Sequence, residues 1–152
     1  RLPEYLPILF TSCILIQICM GAFVSGLDAG QIYQTWPLMN QSYFPDDSKI
    51  VDLFSIKVLE NPSIVQFIHR NLAYLIILLF SSILIKIFIN KNFFYFRRIA
   101  LLISVFLLLQ TFLGIITVIS GAQIILASMH QVGSILLITS SLILVFKNSR
   151  IN

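Results

Sequence analysis

Charge is what this chain has least of. Acidic and basic residues fill 11% of its 152 positions, against about 25% in ordinary soluble domains, and none occurs between Ile99 and Met129. Too little charge is available to clothe a surface in water, so a soluble domain is excluded and the net charge of +4 carries no argument for nucleic acid. Absent too are the alternating ten-residue strands of a closed membrane barrel. Cysteine is limited to Cys13 and Cys19, six apart and therefore off a shared helical face. Neither a CxxC pair nor a disulfide framework is present, and both read as small, inert apolar side chains. The N-terminus lacks the basic segment, short apolar stretch and small-residue cleavage site of a signal peptide. Arg1 stands where an initiator methionine is expected, which leads us to expect the tail of a longer protein.

What the chain has in quantity is apolar sequence, 58% of it. Runs of about 20 apolar residues suffice to cross a hydrocarbon core, and four such runs cover residues 7–27, 63–89, 98–120 and 122–146. The expectation is an all-α integral membrane protein, one four-helix bundle over residues 1–152. If the helices alternate in direction, Arg1, Lys86, Lys91, Arg97, Arg98, Lys147 and Arg150 share one side, against Lys49, Lys57 and Arg70 on the other. The positive-inside rule then puts both termini and the loop in the 90s on the cytoplasmic or matrix side. The long loop between the first and second helices and the tight turn near Gly121 face outward.

That long loop exceeds a simple connection and is rich in aromatics, with Tyr33, Trp36, Tyr43 and Phe44. Farther on, Ile50, Val51, Phe54 and Val58 recur at helical spacing, predicting a short helix in the membrane interface; a plain aromatic belt at headgroup level is the competing reading. Small residues pair at Gly21 and Ser25 and at Ala22 and Gly26. Another such stripe runs through Thr111, Gly114, Thr117 and Gly121. Both patterns suit close helix packing.

The chain's two histidines, His69 and His130, lie inside apolar runs, about 9 to 12 Å below the outward helix starts at 1.5 Å per residue. Their surroundings correspond. Gln66, Arg70 and Ala73 stand at i−3, i+1 and i+4 from His69, and Ala127, Gln131 and Ser134 take those places around His130. Small residues at i+4 leave room for a flat macrocycle. Zinc wants three or four ligands, and Asp28, Glu60 and the cysteines do not converge. A proton relay wants further titratable groups, which the runs lack. Axial ligation of heme iron by both imidazoles is favoured, with satisfied structural histidines still open. Arg70 can extend its guanidinium outward toward a carboxylate such as a heme propionate, or toward headgroup phosphate alone.

The stretches "GAFVSGLDAGQIYQTWPLMN" (21–40), "ENPSIVQFIHRNLAY" (60–74) and "LASMHQVGS" (126–134), in this order and between these helices, resemble the C-terminal half of heme A synthase of the mitochondrial and alphaproteobacterial type. The resemblance implies an eight-helix protein of two similar bundles. The N-terminal bundle would oxidise the C8 methyl of heme O to the formyl of heme A, for cytochrome oxidase. The C-terminal bundle would hold a heme b for electron transfer, with His69 and His130 as axial ligands. Arg70 and Trp36 would lie near the propionate edge, with Gln66 and Gln131 as further contacts. The family's catalytic bundle carries a glutamate three residues before its first histidine, whereas Gln66 occupies that place here, so no catalytic residue is assigned to this half. The implied partners are membrane lipid, heme and the N-terminal half, in a bacterial cytoplasmic or mitochondrial inner membrane. The electron donor and any homo-oligomer are left open by the sequence. A free-standing b-type cytochrome and a cofactor-free bundle are the alternatives.

Overall fold

The structure, a computed structural model, describes residues 2–151; Arg1, used above for charge placement and as the sign of a longer protein, lies outside them. Four helices form: α1 Tyr5–Gly26, α2 Pro62–Ile89, α3 Arg97–Ile119 and α4 Ile124–Ser149. Each is long and apolar enough to cross a membrane, and no strand occurs among the described residues.

The boundaries follow local chemistry. Helix α1 starts two residues before Pro7, whose missing N–H is tolerated in a first turn, and it ends before Asp28, which takes a left-handed conformation. Asn61 caps α2, its side chain accepting from the backbone N–H groups of Ser63 and Ile64, with Pro62 in the first turn. Between α3 and α4 the chain reverses through Gly121 and Ala122, both at positive φ. The reversal delays α4 to Ile124, two residues later than the apolar pattern suggested.

In the bundle α1 packs on α2 and α4, and α3 packs on α4 and more lightly on α2. Helices α2 and α4 are therefore diagonal. The chain start meets the end of α4, where Asn148 accepts from the Leu2 N–H and donates to the Leu2 carbonyl. Lys86, Lys91, Arg97, Arg98 and Lys147 gather at this same end, as alternating helix directions require.

The continuous apolar core is confined to the half of the bundle nearer the termini. It joins Phe10 and Ile14 of α1, Ile76 to Ile87 of α2, Ile99 to Leu107 of α3, and Leu137 and Leu144 of α4. Cys13 belongs to it, whereas Cys19 lies on the helix surface, so only one of the two cysteines is buried. The segment expected to be an interfacial helix forms only 3-10 turns, Ile50–Phe54 and Val58–Glu60. Its Ile50, Val51, Phe54 and Ile56 side chains are exposed.

Candidate functional site

Away from the apolar core, the other half of the bundle carries both histidines. His69 lies seven residues past Pro62 and His130 six past Ile124, about 9 to 11 Å along each helix at 1.5 Å per residue. The later start of α4 brings the two to a closer match in depth than the apolar pattern implied. Both histidines are half-buried, on diagonal helices.

Each ring rests on a glycine of the preceding helix. A Cβ at Gly21 would stand 3.3 Å from His69 Cε1, and one at Gly114 would stand 3.1 Å from His130 Cε1. The small residues read as helix-packing stripes are in these two places seats for imidazoles, while Gly26 faces open space. Four residues before each glycine stands a glutamine, the single amide side chain of its helix. Gln17 Nε2 donates to the His69 carbonyl at 3.0 Å and lies 3.4 Å from His69 Nε2. Gln110, with its nitrogen turned toward the acceptors as its neighbours require, donates to the His130 carbonyl at 2.9 Å and to His130 Nδ1 at 3.2 Å, while its oxygen accepts from Ser134 N. Gln110 reaches that backbone only because Gly133 notches α4: a Cβ there would fall 1.9 Å from its amide.

Neither glutamine was singled out from the sequence, nor was Gly133. The signal that finds them is a Gln-x-x-x-Gly pair repeated on the helix before each histidine, with Gln17 nine residues before Gly26 and Gln110 nine before Ile119. Neither ring bonds to the carbonyl one turn back, of Val65 or Leu126; the ring contacts come from the glutamines instead. His69 Nδ1 and Gln17 Oε1 are both buried without a partner.

The other residues predicted for the site divide. Arg70 is buried and turned to the loop, donating to the carbonyls of Thr35 at 2.9 Å, Leu38 at 3.4 Å and Tyr33 at 2.8 Å, with its Nε–H unpartnered. Gln66 donates to the same Tyr33 carbonyl at 3.1 Å. Trp36 is brought to α2, its indole N–H donating to the Tyr74 hydroxyl at 3.0 Å. Tyr43 and Phe44 lie edge-on to Phe67, and the Tyr43 hydroxyl bonds to Asn71. The loop is thus fastened to the outward end of α2. Gln131, next to His130 in the chain, is exposed on α4.

A polar knot closes the loop's far side. The Tyr33 hydroxyl donates to Asp46 at 2.5 Å, and Asp47 accepts from Ser63 at 2.6 Å and Ser48 at 2.9 Å. Burial, with the bond to Asp46, pushes the Tyr33 hydroxyl up to about 12. Burial alone would raise Asp47, but the bonds from Ser63, Ser48 and Tyr33 outweigh it and hold the carboxyl below its usual range.

Residues 3–142 match the family model described as cytochrome oxidase assembly protein, COX15-CtaA. The chain belongs to this family. Among the family's curated proteins it is similar to the heme A synthase of Pelagibacter ubique, 46% identical over 149 residues that cover 98% of this chain and 44% of that protein. A heme A synthase of Bartonella henselae is 41% identical over 121 residues, covering 78% and 33%, and one of Rickettsia bellii is 38% identical over 139 residues, covering 91% and 41%. The chain therefore spans less than half the length of these family members. No solved structure is significantly similar. Family membership agrees with four apolar spans in one multi-pass membrane protein.

Proposed function

We propose that this chain is the heme-b-binding half of a heme A synthase, the C-terminal of two bundles, in a bacterial cytoplasmic or mitochondrial inner membrane. The whole protein would oxidise the C8 methyl of heme O to the formyl of heme A, and this half would pass electrons. The single observation that carries the reading is the pair of histidines at one depth on diagonal helices, each lying flush on a glycine and held by a glutamine. The residues fit a flat iron macrocycle: two imidazoles are available, no third metal-ligating residue joins them among the described residues, and His69 Nδ1 lacks a partner.

A bound heme supplies a one-electron couple. His69 and His130 would hold its iron. Gly21 and Gly114 allow each ring to lie close to its supporting helix, and the apolar core from Phe10 to Leu144 keeps water from that end of the bundle. Arg70 fixes the loop that covers the outward end, and its remaining Nε–H is the donor left for a propionate. Trp36, held against Tyr74, forms part of the same cover, Gln66 braces it through Tyr33, and Gln131 stays at the periphery. Gln66 does not exchange a proton in the useful range, which suits electron transfer rather than substrate oxidation.

Purification in detergent tests this. The protein should show the sharp spectrum of a low-spin bis-histidine heme, His69→Ala and His130→Ala should each abolish heme retention, and Cys13→Ala should leave it intact. Equal heme content in all three variants, or a colourless wild type after heme supplementation, would remove the assignment.

A further inference from the structure

We propose that Gln17 and Gln110 are positioning residues for the two imidazoles, and that Gln17 also supplies the hydrogen-bond acceptor that sets the electron-donating strength of His69. The inference rests on the heme reading above and adds to it. A glutamine inside an apolar helix is costly unless it is hydrogen-bonded, and each of these is the lone amide of its helix. Each nevertheless directs its N–H to the same atom, the carbonyl of the histidine on the next helix, at 3.0 Å for Gln17 and 2.9 Å for Gln110. That carbonyl belongs to a helical residue and needs no second donor. The bond's effect is on the neighbouring helix: it fixes the histidine's backbone against the glutamine's helix, and the amide then borders the ring at 3.4 Å and 3.2 Å. Fold and register thus deliver one arrangement twice.

The two copies differ at the amide oxygen. Gln110 Oε1 accepts from Ser134 N, so its bonding is complete. Gln17 Oε1 is buried and accepts from nothing, and its amide lies 3.4 Å from His69 Nε2. When one ring nitrogen of a neutral imidazole binds a metal, the other carries a proton and seeks an acceptor, and a good acceptor makes the imidazole a stronger donor to the metal. Gln17, whose amide already borders Nε2, carries a free acceptor oxygen. A stronger donor favours oxidised iron, so Gln17 lowers the potential on the His69 side, whereas Gln110 governs ring orientation on the His130 side.

The test uses the heme-loaded protein and reads midpoint potential and electron paramagnetic resonance g values, which report axial-ligand strength and ring planes, rather than turnover. Gln17→Met keeps length and removes the acceptor; it should shift the one-electron equilibrium toward reduced iron by up to about tenfold, 59 mV. Gln17→Glu keeps an acceptor oxygen and should leave the potential at or below that of the wild type. Gln110→Met should alter the g values with a smaller change of potential. Unchanged potential and g values in both methionine variants, or a rise in Gln17→Glu matching that in Gln17→Met, overturns the proposal. If Gln17→Met no longer holds heme, Gln17→Glu decides by its potential, and loss of heme from both also overturns it. A wild type without bis-histidine heme would instead defeat the underlying functional reading.

Discussion

Gly133→Ala is a one-carbon change whose effect depends on a side chain from another helix. The added Cβ would stand 1.9 Å from the Gln110 amide, against 3.4 Å for ordinary contact, so the amide must retreat by about 1.5 Å. Because the far end of a flexible side chain is what moves, the backbone does not have to yield, and the cost is the loss of bonds to the His130 carbonyl and Ser134 N. Two such bonds are worth about 1–2 kcal/mol together, taking roughly 0.6–1 each for a membrane interior. Replacing glycine by alanine within a helix returns about 0.5–1 kcal/mol, so the net destabilisation is about 0.5–1 kcal/mol. Gly26→Ala provides the control, since nothing lies within 4 Å of a Cβ there, and it should be neutral or stabilising. Unfolding free energies in mixed detergent micelles should therefore separate the two variants by about 1–2 kcal/mol, from the same two terms. Adding Gln110→Ala to Gly133→Ala should remove most of the penalty, since no amide then remains to displace. A Gly133→Ala protein as stable as Gly26→Ala, or strictly additive effects in the double variant, would refute the notch.

Arg70→Lys should loosen the long loop, because a single ammonium cannot serve the carbonyls of Tyr33, Thr35 and Leu38 that the guanidinium fork reaches at once; we expect a cost of about 1.5–3 kcal/mol, the worth of a charged hydrogen bond, and faster proteolysis within residues 27–61, and unchanged protection would count against the clamp. The polar knot should hold over a bounded pH range. Tyr33 has its pKa raised to about 12, so its contribution is intact below the free value of about 10 and fades as pH rises through 12, a transition that Tyr33→Phe should delete from the tyrosinate absorbance. Asp47 has its pKa lowered, so its contribution is present above the ordinary carboxylate range and is lost as pH falls through its own lower value; Ser63→Ala should move that acid transition upward.

Much of the fold was legible because membrane helices announce themselves by length. The four apolar runs became α1 to α4, with ends displaced by a few residues where α1 starts ahead of Pro7 and where Gly121 and Ala122 redirect the backbone. The hairpin of α3 and α4 followed from the shortness of its turn. The interfacial helix did not form: spacing at Ile50, Val51, Phe54 and Val58 fits a helix, but Ser55 at the end of the first 3-10 turn is extended, and local backbone preference prevailed over periodicity. The histidines stood out as ionisable residues in apolar sequence. Their glutamine partners did not, because a lone uncharged amide in a long helix has no periodic signature, and its partner lies on another helix. Only the recurrence of Gln-x-x-x-Gly before each histidine marks them, and that is visible once α1 is aligned with α3.

The same comparison bears on Arg70. Sequence placed it beside a histidine and offered its fork to a carboxylate; the structure turns the fork to carbonyls of the loop. The two uses are compatible only through Nε–H, the donor left without a partner. On the proposed reading, the arginine then acts mainly by holding the cover shut, and charge compensation at the outward edge is secondary. The groups touching the rings point the same way. Gln17 meets His69 and Gln110 meets His130, and an amide neither gains nor loses a proton in the physiological range. On the proposed reading, amides beside the rings hold an electron carrier in an environment that does not change with pH. This half, on the same reading, carries electrons, and Gln66 stands at the one place where the resemblance implies a glutamate in the other bundle.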